Sequence, residues 1–160
     1  MNVPIQKPEF GTKTGKYQWV HDSIVNVCTG EKDLIANLAN ATAILKENFD
    51  WWWTGFYLVK ENELVLGPFQ GPVACTRIAY GRGVCGSSWQ QKKSMLVPDV
   101  HAFPGHIACS AASNSELVVP VLRNGEVLAV LDADSEHFSH FDATDQQELE
   151  KICAYLATLF

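Results

Sequence analysis

The sequence predicts a single α+β domain on a largely antiparallel sheet of about six strands, with helices on one face and a functional loop on the other. Three observations carry this. Two segments have helical spacing of apolar residues near the start and at the end of the chain, and two hairpin-like strand pairs lie between them. The stretch 98–114 has no period at all. At 160 residues, 47% hydrophobic and 19% charged, the chain is long enough to bury one real core without staples and is not disordered.

Residues 1–15, with Pro4, Pro8, Gly11 and Gly15, read as an extended arm, and 16–160 as the domain. From Lys16 to Cys28 the spacing of Trp19, Ile24 and Val27 allows a first helix. In Glu31–Phe49, Leu34, Leu38, Ala41, Leu45 and Phe49 recur at three and four residues, one face of a second helix. Trp53–Lys60 and Glu63–Phe69 flank the polar Lys60-Glu61-Asn62 and read as a hairpin; Thr76–Tyr80 is a short strand, Gly81–Lys93 helical and Ser94–Val97 a further strand. Segment 98–114 holds Pro104, Gly105, His101, His106 and Cys109, and structureless loops of this length in compact domains are usually functional. Glu116–Arg123 and Glu126–Asp132 are apolar runs joined by Asn124-Gly125, a dipeptide that accepts the two positive φ angles of a type I′ turn. Finally, Thr144 and Gln147 can form a capping box for a helix whose face is Leu149, Ile152, Cys153 and Leu156.

A formal charge of −6 without a basic stripe gives no footing on a phosphate backbone, so nucleic acid is not an expected partner. No apolar run approaches the roughly 20 residues that cross a bilayer and no apolar signal core follows Met1, so the reading is intracellular, without membrane insertion. Five cysteines are too few for a secreted disulfide scaffold. Cys28 and Cys153 fall on helices and read as small core hydrophobes. Cys75, Cys85 and Cys109 lie in Gly- or Pro-rich loops or helix starts, where backbone amides, Arg82 or His106 would favour a thiolate. Zinc is a rival reading for these three with His101 and His106, but their gaps lack the close ligand pairs of structural sites, and no metal is expected.

Antiparallel pairing across the Asn-Gly hairpin brings Glu116 to the same sheet end as Asp132 and Asp134, which share a face. Carboxylates gathered opposite a loop cysteine could bind an ammonium group, or one could stay protonated and act as an acid. Trp53 and Tyr57 alternate to one face of the first strand and are candidates for an aromatic wall.

The runs Trp52-Trp53-Thr54-Gly55-Phe56-Tyr57-Leu58, Gly67-Pro68-Phe69-Gln70-Gly71, Ala74-Cys75-Thr76-Arg77-Ile78, Gly81-Arg82-Gly83-Val84-Cys85-Gly86, Val97-Pro98-Asp99-Val100-His101, Phe103-Pro104-Gly105-His106-Ile107-Ala108-Cys109, Ser113-Asn114-Ser115-Glu116 and Leu131-Asp132-Ala133-Asp134-Ser135 closely resemble the free methionine-(R)-sulfoxide reductases, single GAF-domain enzymes. The likeness covers most of the chain from about Lys16, departing in the N-terminal arm and in Ser87–Lys93. It implies a GAF fold and a cytoplasmic, thioredoxin-dependent enzyme acting on the free amino acid, without bound cofactor, and suggests a homodimer. On the matching positions it implies Cys109 as catalytic, Cys75 and Cys85 as the recycling pair, Glu116, Asp132 and Asp134 as substrate carboxylates, and Trp53 and Tyr57 as pocket aromatics. The alternative class is a GAF-type small-molecule or redox sensor; the Asn-Lys-x-Phe-Asp-Glu-like signature of cyclic-nucleotide sensors is absent, Phe141-Asp142 being its only echo.

Overall fold

The computed structural model describes residues 8–107, 109 and 111–160. Residues 1–7 of the expected arm, with Ala108 and Ser110, lie outside the described residues. Among the described residues, four α-helices, α1 (Lys13–Cys28), α2 (Leu34–Asn48), α3 (Gly83–Gln91) and α4 (Ala143–Ala157), accompany six strands, β1 (Trp53–Lys60), β2 (Glu63–Gln70), β3 (Arg77–Ala79), β4 (Met95–Val97), β5 (Ser115–Arg123) and β6 (Glu126–Ser135). The strands form one sheet in the order β3-β2-β1-β6-β5-β4, and every neighbouring pair is antiparallel.

Period-two alternation splits the strands between two cores. Phe56, Leu58, Leu117, Val119, Val121, Ala129, Leu131 and Ala133 meet α1, α2 and α4, while Tyr57, Val118 and Val130 meet Val84 and Cys85 of α3, together with Val97 and Val100. The short helix α3 therefore joins the 98–114 loop on the second face, apart from the other three helices. A short 3-10 turn, Val100–Ala102, is the regular element within that loop, capped by the Asp99 carboxylate.

The first helix differs from expectation in both length and face. It starts at Lys13, where Thr12 accepts a hydrogen bond from the Gly15 amide, and it buries Tyr17, Val20, Ile24 and Cys28, leaving Val27 exposed. Tyr17 anchors that face by donating its hydroxyl to Asp145 Oδ1 at 2.7 Å. The same carboxylate accepts from Lys13 Nζ and closes a reciprocal capping box with Asp142 on α4. The box thus uses Asp142 and Asp145, each two residues ahead of the expected Thr144 and Gln147, because a carboxylate at the cap position offers an acceptor without needing a hydroxyl rotamer. Cys153 lies buried on the inner face of α4, as its place in the periodic pattern implies.

At the β5–β6 turn Asn124 and Gly125 have φ of 52° and 77°, the two left-handed residues that the dipeptide announces. From there the strands run back in register to the far end of the sheet, where Glu116 pairs with Asp134 and Val118 with Asp132.

Candidate active site

Glu116, Asp132 and Asp134 project from the far end of the hairpin onto the α3 face. Parity on two neighbouring strands puts all three on one side of the sheet, so they form a common floor. Around them stand Trp53 and Tyr57 of β1, Arg82, Gly83 and Cys85 at the start of α3, His106, Ile107 and Cys109 of the loop, and Pro72 to Ala74 of the segment joining β2 to β3. The cleft is lined by these groups and partly open to solvent, with a cavity of about 50 Å³ at its centre.

Across the mouth, Cys75 and Cys109 form a disulfide with their Cα atoms 5.4 Å apart. Two segments separated by 34 residues are thereby tied together above the carboxylate floor. Cys28, Cys85 and Cys153 carry free thiols.

Burial governs the chemistry of the floor. Glu116 and Asp132 have carboxyls held well above the usual range, first by loss of hydration and then by the neighbouring carboxylates. Asp134 is pushed up only to about 6, since the Ser113 hydroxyl donates to its Oδ1 at 2.8 Å and favours the charged form. The three carboxyls titrate as one coupled set, in which burial and mutual repulsion favour keeping protons on and Asp134 is the one held down by a hydroxyl donor. Among the described residues Asp132 Oδ1 is buried with no hydrogen-bond partner, a cost of about 1–3 kcal/mol that a bound donor would recover.

Cys85 departs from the expectation of an activated thiol at a helix start. Its side chain is fully enclosed, its Sγ lies 3.9 Å from Glu116 Oε1, and burial followed by the charges of Asp132, Glu116 and Asp134 pushes the thiol well above its ordinary value. Those carboxylates outweigh the helix terminus, so Cys85 stays protonated. The five-ligand zinc arrangement does not form: Cys75 and Cys109 are bonded to each other, and His101 turns outward to pair with Asp99 at 2.9 Å. Cys85, Glu116 and Asp132 do bring one ligand-type atom each within 4.8 Å of one another, a set chemically able to take a cation.

Aromatic side chains form the wall opposite Cys85. Trp53 and Tyr57 stack with ring centroids 6.0 Å apart, and Phe69 continues the stack at 5.3 Å from Trp53. Both polar tips are occupied: Trp53 Nε1 donates to the Pro72 carbonyl and the Tyr57 hydroxyl to the Cys75 carbonyl, each at 3.0 Å.

Every candidate site residue, Cys75, Cys85, Cys109, Glu116, Asp132, Asp134, Trp53 and Tyr57, is thus gathered at this cleft and its mouth. Ser113 is not among the residues expected there, although its place just ahead of β5 sets it beside the carboxylate it steadies. Ile107, packed against Gly83 at the foot of α3, carries no residue-type signal that would mark it.

A profile of the GAF domain matches residues 31–160. The chain is 45% identical over 145 residues to the free methionine-R-sulfoxide reductase of Escherichia coli (strain K12), covering 90% of this chain and 88% of that one. The chain belongs to the free methionine-R-sulfoxide reductase family of GAF-domain proteins. Membership extends to three-dimensional structure: the free methionine-R-sulfoxide reductase of Neisseria meningitidis, solved in complex with its substrate, matches with a TM-score of 0.92 and 50% identity over 95% of this chain and 92% of that one. GAF domain-containing protein A of Dictyostelium discoideum is 54% identical over 147 residues, covering 91% of this chain and 93% of its own. Among the described residues, no helix is long and apolar enough to cross a membrane.

Proposed function

We propose that this protein reduces free methionine-(R)-sulfoxide to methionine through a thiolate, sulfenic acid and disulfide cycle on Cys109 and Cys75. The observation that carries the reading is the Cys75–Cys109 disulfide set above a floor of buried, partly protonated carboxylates. Family membership supplies the substrate class, since both the Escherichia coli and the Neisseria meningitidis relatives bear the name of this reductase.

In the reduced protein the Cys109 thiolate attacks the sulfoxide sulfur while a neutral carboxyl on the floor protonates the departing oxygen. Glu116 and Asp132 are suited to that step because burial and their neighbours' charges favour the protonated form of each. The hydroxyl passes from the substrate sulfur to Cys109 Sγ as the new S–S bond breaks, so methionine leaves with two electrons gained and Cys109 becomes a sulfenic acid. The Cys75 thiol then attacks the Cys109 sulfur; an S–S bond forms, the S–O bond breaks, and water departs. Cys85 follows Cys75 in the order of exchange, as its thiol is enclosed and protonated. A thioredoxin-type dithiol restores both thiols and itself becomes a disulfide. Asp134, charged near neutral pH, takes the substrate ammonium group, and Trp53 and Tyr57 flank its thioether end. The cycle uses no metal or organic cofactor and belongs in a reducing compartment, the cytoplasm. The protein works as a single GAF unit, placed from the sequence at residues 16–160 and extended to Thr12 by the cap of α1, paired as a homodimer.

Incubation of the reduced protein with free methionine-(R)-sulfoxide and excess thioredoxin, followed by amino-acid analysis, tests the reading. Many methionines per protein are expected. One methionine per protein, with no further turnover while the dithiol is in excess, would instead mark a redox sensor.

A further inference from the structure

The segment between β2 and β3 that carries Cys75 is fastened almost entirely to the two aromatic side chains of the cleft wall. Gly71 opens it with φ of +139°, and a Cβ there would come within 2.6 Å of Trp53 Cδ1, so the backbone lies directly on the indole. One residue later the Pro72 carbonyl accepts from Trp53 Nε1, and three residues beyond that the Cys75 carbonyl accepts from the Tyr57 hydroxyl, both at 3.0 Å. The chain rejoins the sheet at Thr76, whose carbonyl accepts from the Leu66 amide at 3.0 Å. Between these points Val73 stands 89% exposed and only the small side chain of Ala74 packs against the core, so packing holds the middle of the segment weakly. By contrast, Trp53 and Tyr57 are buried, stacked on each other, and rooted in one of the two middle strands of the sheet.

A disulfide needs its two sulfurs to approach with their Cα atoms about 4.4–6.8 Å apart, a narrow window for a thiol on a lightly packed segment. The hydrogen bond to the Cys75 carbonyl acts on the residue whose thiol must arrive. Its donor is dependable: burial, with Asp132 and other charges behind it, keeps the Tyr57 hydroxyl protonated throughout the working pH range.

We infer that Trp53 and Tyr57 are positioning residues for recycling, their N–H and O–H holding the Pro72–Cys75 backbone so that the Cys75 thiol stands over the Cys109 sulfenic acid. This is a role distinct from lining the substrate pocket, and it rests on the reading of Cys75 as the resolving thiol given above. The step assisted is the condensation of Cys75–SH with Cys109–SOH to a disulfide and water. Because the same two rings flank the bound methionine, the departure of product and the arrival of Cys75 are registered by one pair of side chains.

Tyr57→Phe in the full chain tests this, as it keeps the ring and stack and deletes only the donor. A rapid-quench experiment with one equivalent of free methionine-(R)-sulfoxide follows methionine release and Cys75–Cys109 disulfide formation side by side, with a 1,3-dione present in a parallel sample to trap the sulfenic acid. Disulfide formation is expected to fall roughly two- to tenfold further than methionine release, the range for one net hydrogen bond, and the trapped Cys109 adduct to rise in step. Equal proportional losses in the two steps, or no change in disulfide formation, would overturn the inference. A second arm uses hydrogen peroxide to oxidise Cys109 directly, and the same slowing of disulfide formation is expected there. If wild-type protein forms the disulfide with peroxide but releases no methionine from the sulfoxide, the functional reading fails while the peroxide arm still decides the positioning role. Near-ultraviolet circular dichroism confirms that the variant is folded, and Trp53→Phe, which removes the indole donor, is expected to show the same bias.

Discussion

Asp134→Asn is the sharpest probe of substrate recognition, because Asp134, raised to about 6, changes its charge just below neutral pH. With its pKa at about 6, it is about nine-tenths ionised at pH 7 and about one-tenth at pH 5. Glu116 and Asp132 are raised as well, so the negative charge of the site falls as Asp134 takes up a proton. A charge-assisted hydrogen bond to the substrate ammonium group in an enclosed cleft is worth about 1.5–3 kcal/mol, or roughly ten- to a hundredfold in binding. Affinity for the free sulfoxide should therefore fall about tenfold between pH 7 and pH 5. Asp134→Asn should impose about the full ten- to hundredfold loss at pH 7 and abolish the slope below it. The amide keeps a side-chain oxygen to which the Ser113 hydroxyl can still donate, so local geometry is preserved. Titration calorimetry on a Cys109→Ser background separates binding from chemistry, and N-acetyl-methionine-(R)-sulfoxide, which lacks the ammonium group, should bind weakly with no dependence on Asp134. A pH slope that survives Asp134→Asn, or equal affinity for the free and acetylated compounds, would refute the ammonium site. The same substitution bears on folding: raising a carboxyl from 3.8 to about 6 costs roughly 3 kcal/mol of stability above pH 6, a penalty absent below about pH 4 where the group is protonated folded or unfolded. The variant should accordingly melt higher than wild type at pH 8 and gain nothing at pH 4.

Cys109→Ser should abolish methionine formation, since a hydroxyl is too poor a nucleophile for sulfur near neutral pH; a large retained rate in the amino-acid assay would end the assignment. Cys75→Ser should release methionine in the first turnover and then stall with Cys109 as a sulfenic acid, detectable by mass spectrometry as the dione adduct. Cys85→Ser should likewise spare first-turnover release and slow later cycles, and a first-turnover loss as deep as that of Cys109→Ser would show that its thiol takes part before methionine leaves. Cys28→Ser and Cys153→Ser each place a hydroxyl in the core and should lower the melting temperature before they touch turnover, a pattern read by combining calorimetry with the same assay.

What could be read from the chain beforehand follows how local the governing physics is. Asn124-Gly125 states its own backbone angles, and with the turn placed, the meeting of Glu116 with Asp134 follows from counting residues back along two strands. In α2 and α4 the apolar face set by periodicity is also the face that tertiary packing buries. In α1 it is only partly so, because Tyr17 is drawn inward by a hydrogen bond to Asp145, 128 residues away, which centres the buried stripe on Tyr17, Val20, Ile24 and Cys28, leaves Trp19 at its edge and exposes Val27. The partner of Cys109 is hidden from the sequence for the same reason: Cys75 and Cys85 are both near-neighbours of the cleft, and only the path of the segment past Trp53 and Tyr57 separates them. The family resemblance names the residues; the protonation of Cys85 depends on three carboxylates crowding one thiol, which no linear spacing expresses.

Strands β5 and β6 alternate acid with hydrocarbon: Glu116 is followed by Leu117, and Asp132 and Asp134 enclose Ala133. A slip of one residue in their pairing would invert one strand against the other, turning Ala133 toward the cleft and driving Asp132 and Asp134 into the apolar layer beneath α2 and α4, or doing the same with Leu117 and Glu116. The chemistry of the cleft is thus set by parity, and parity is fixed at the opposite end of the hairpin by Asn124 and Gly125, with the irregularity between Val121 and Leu122 as the nearest point at which the count can change. Inherited variation in that turn should consequently be restrained in length although it touches no substrate, and single-residue insertions there should be far rarer among working sequences than substitutions.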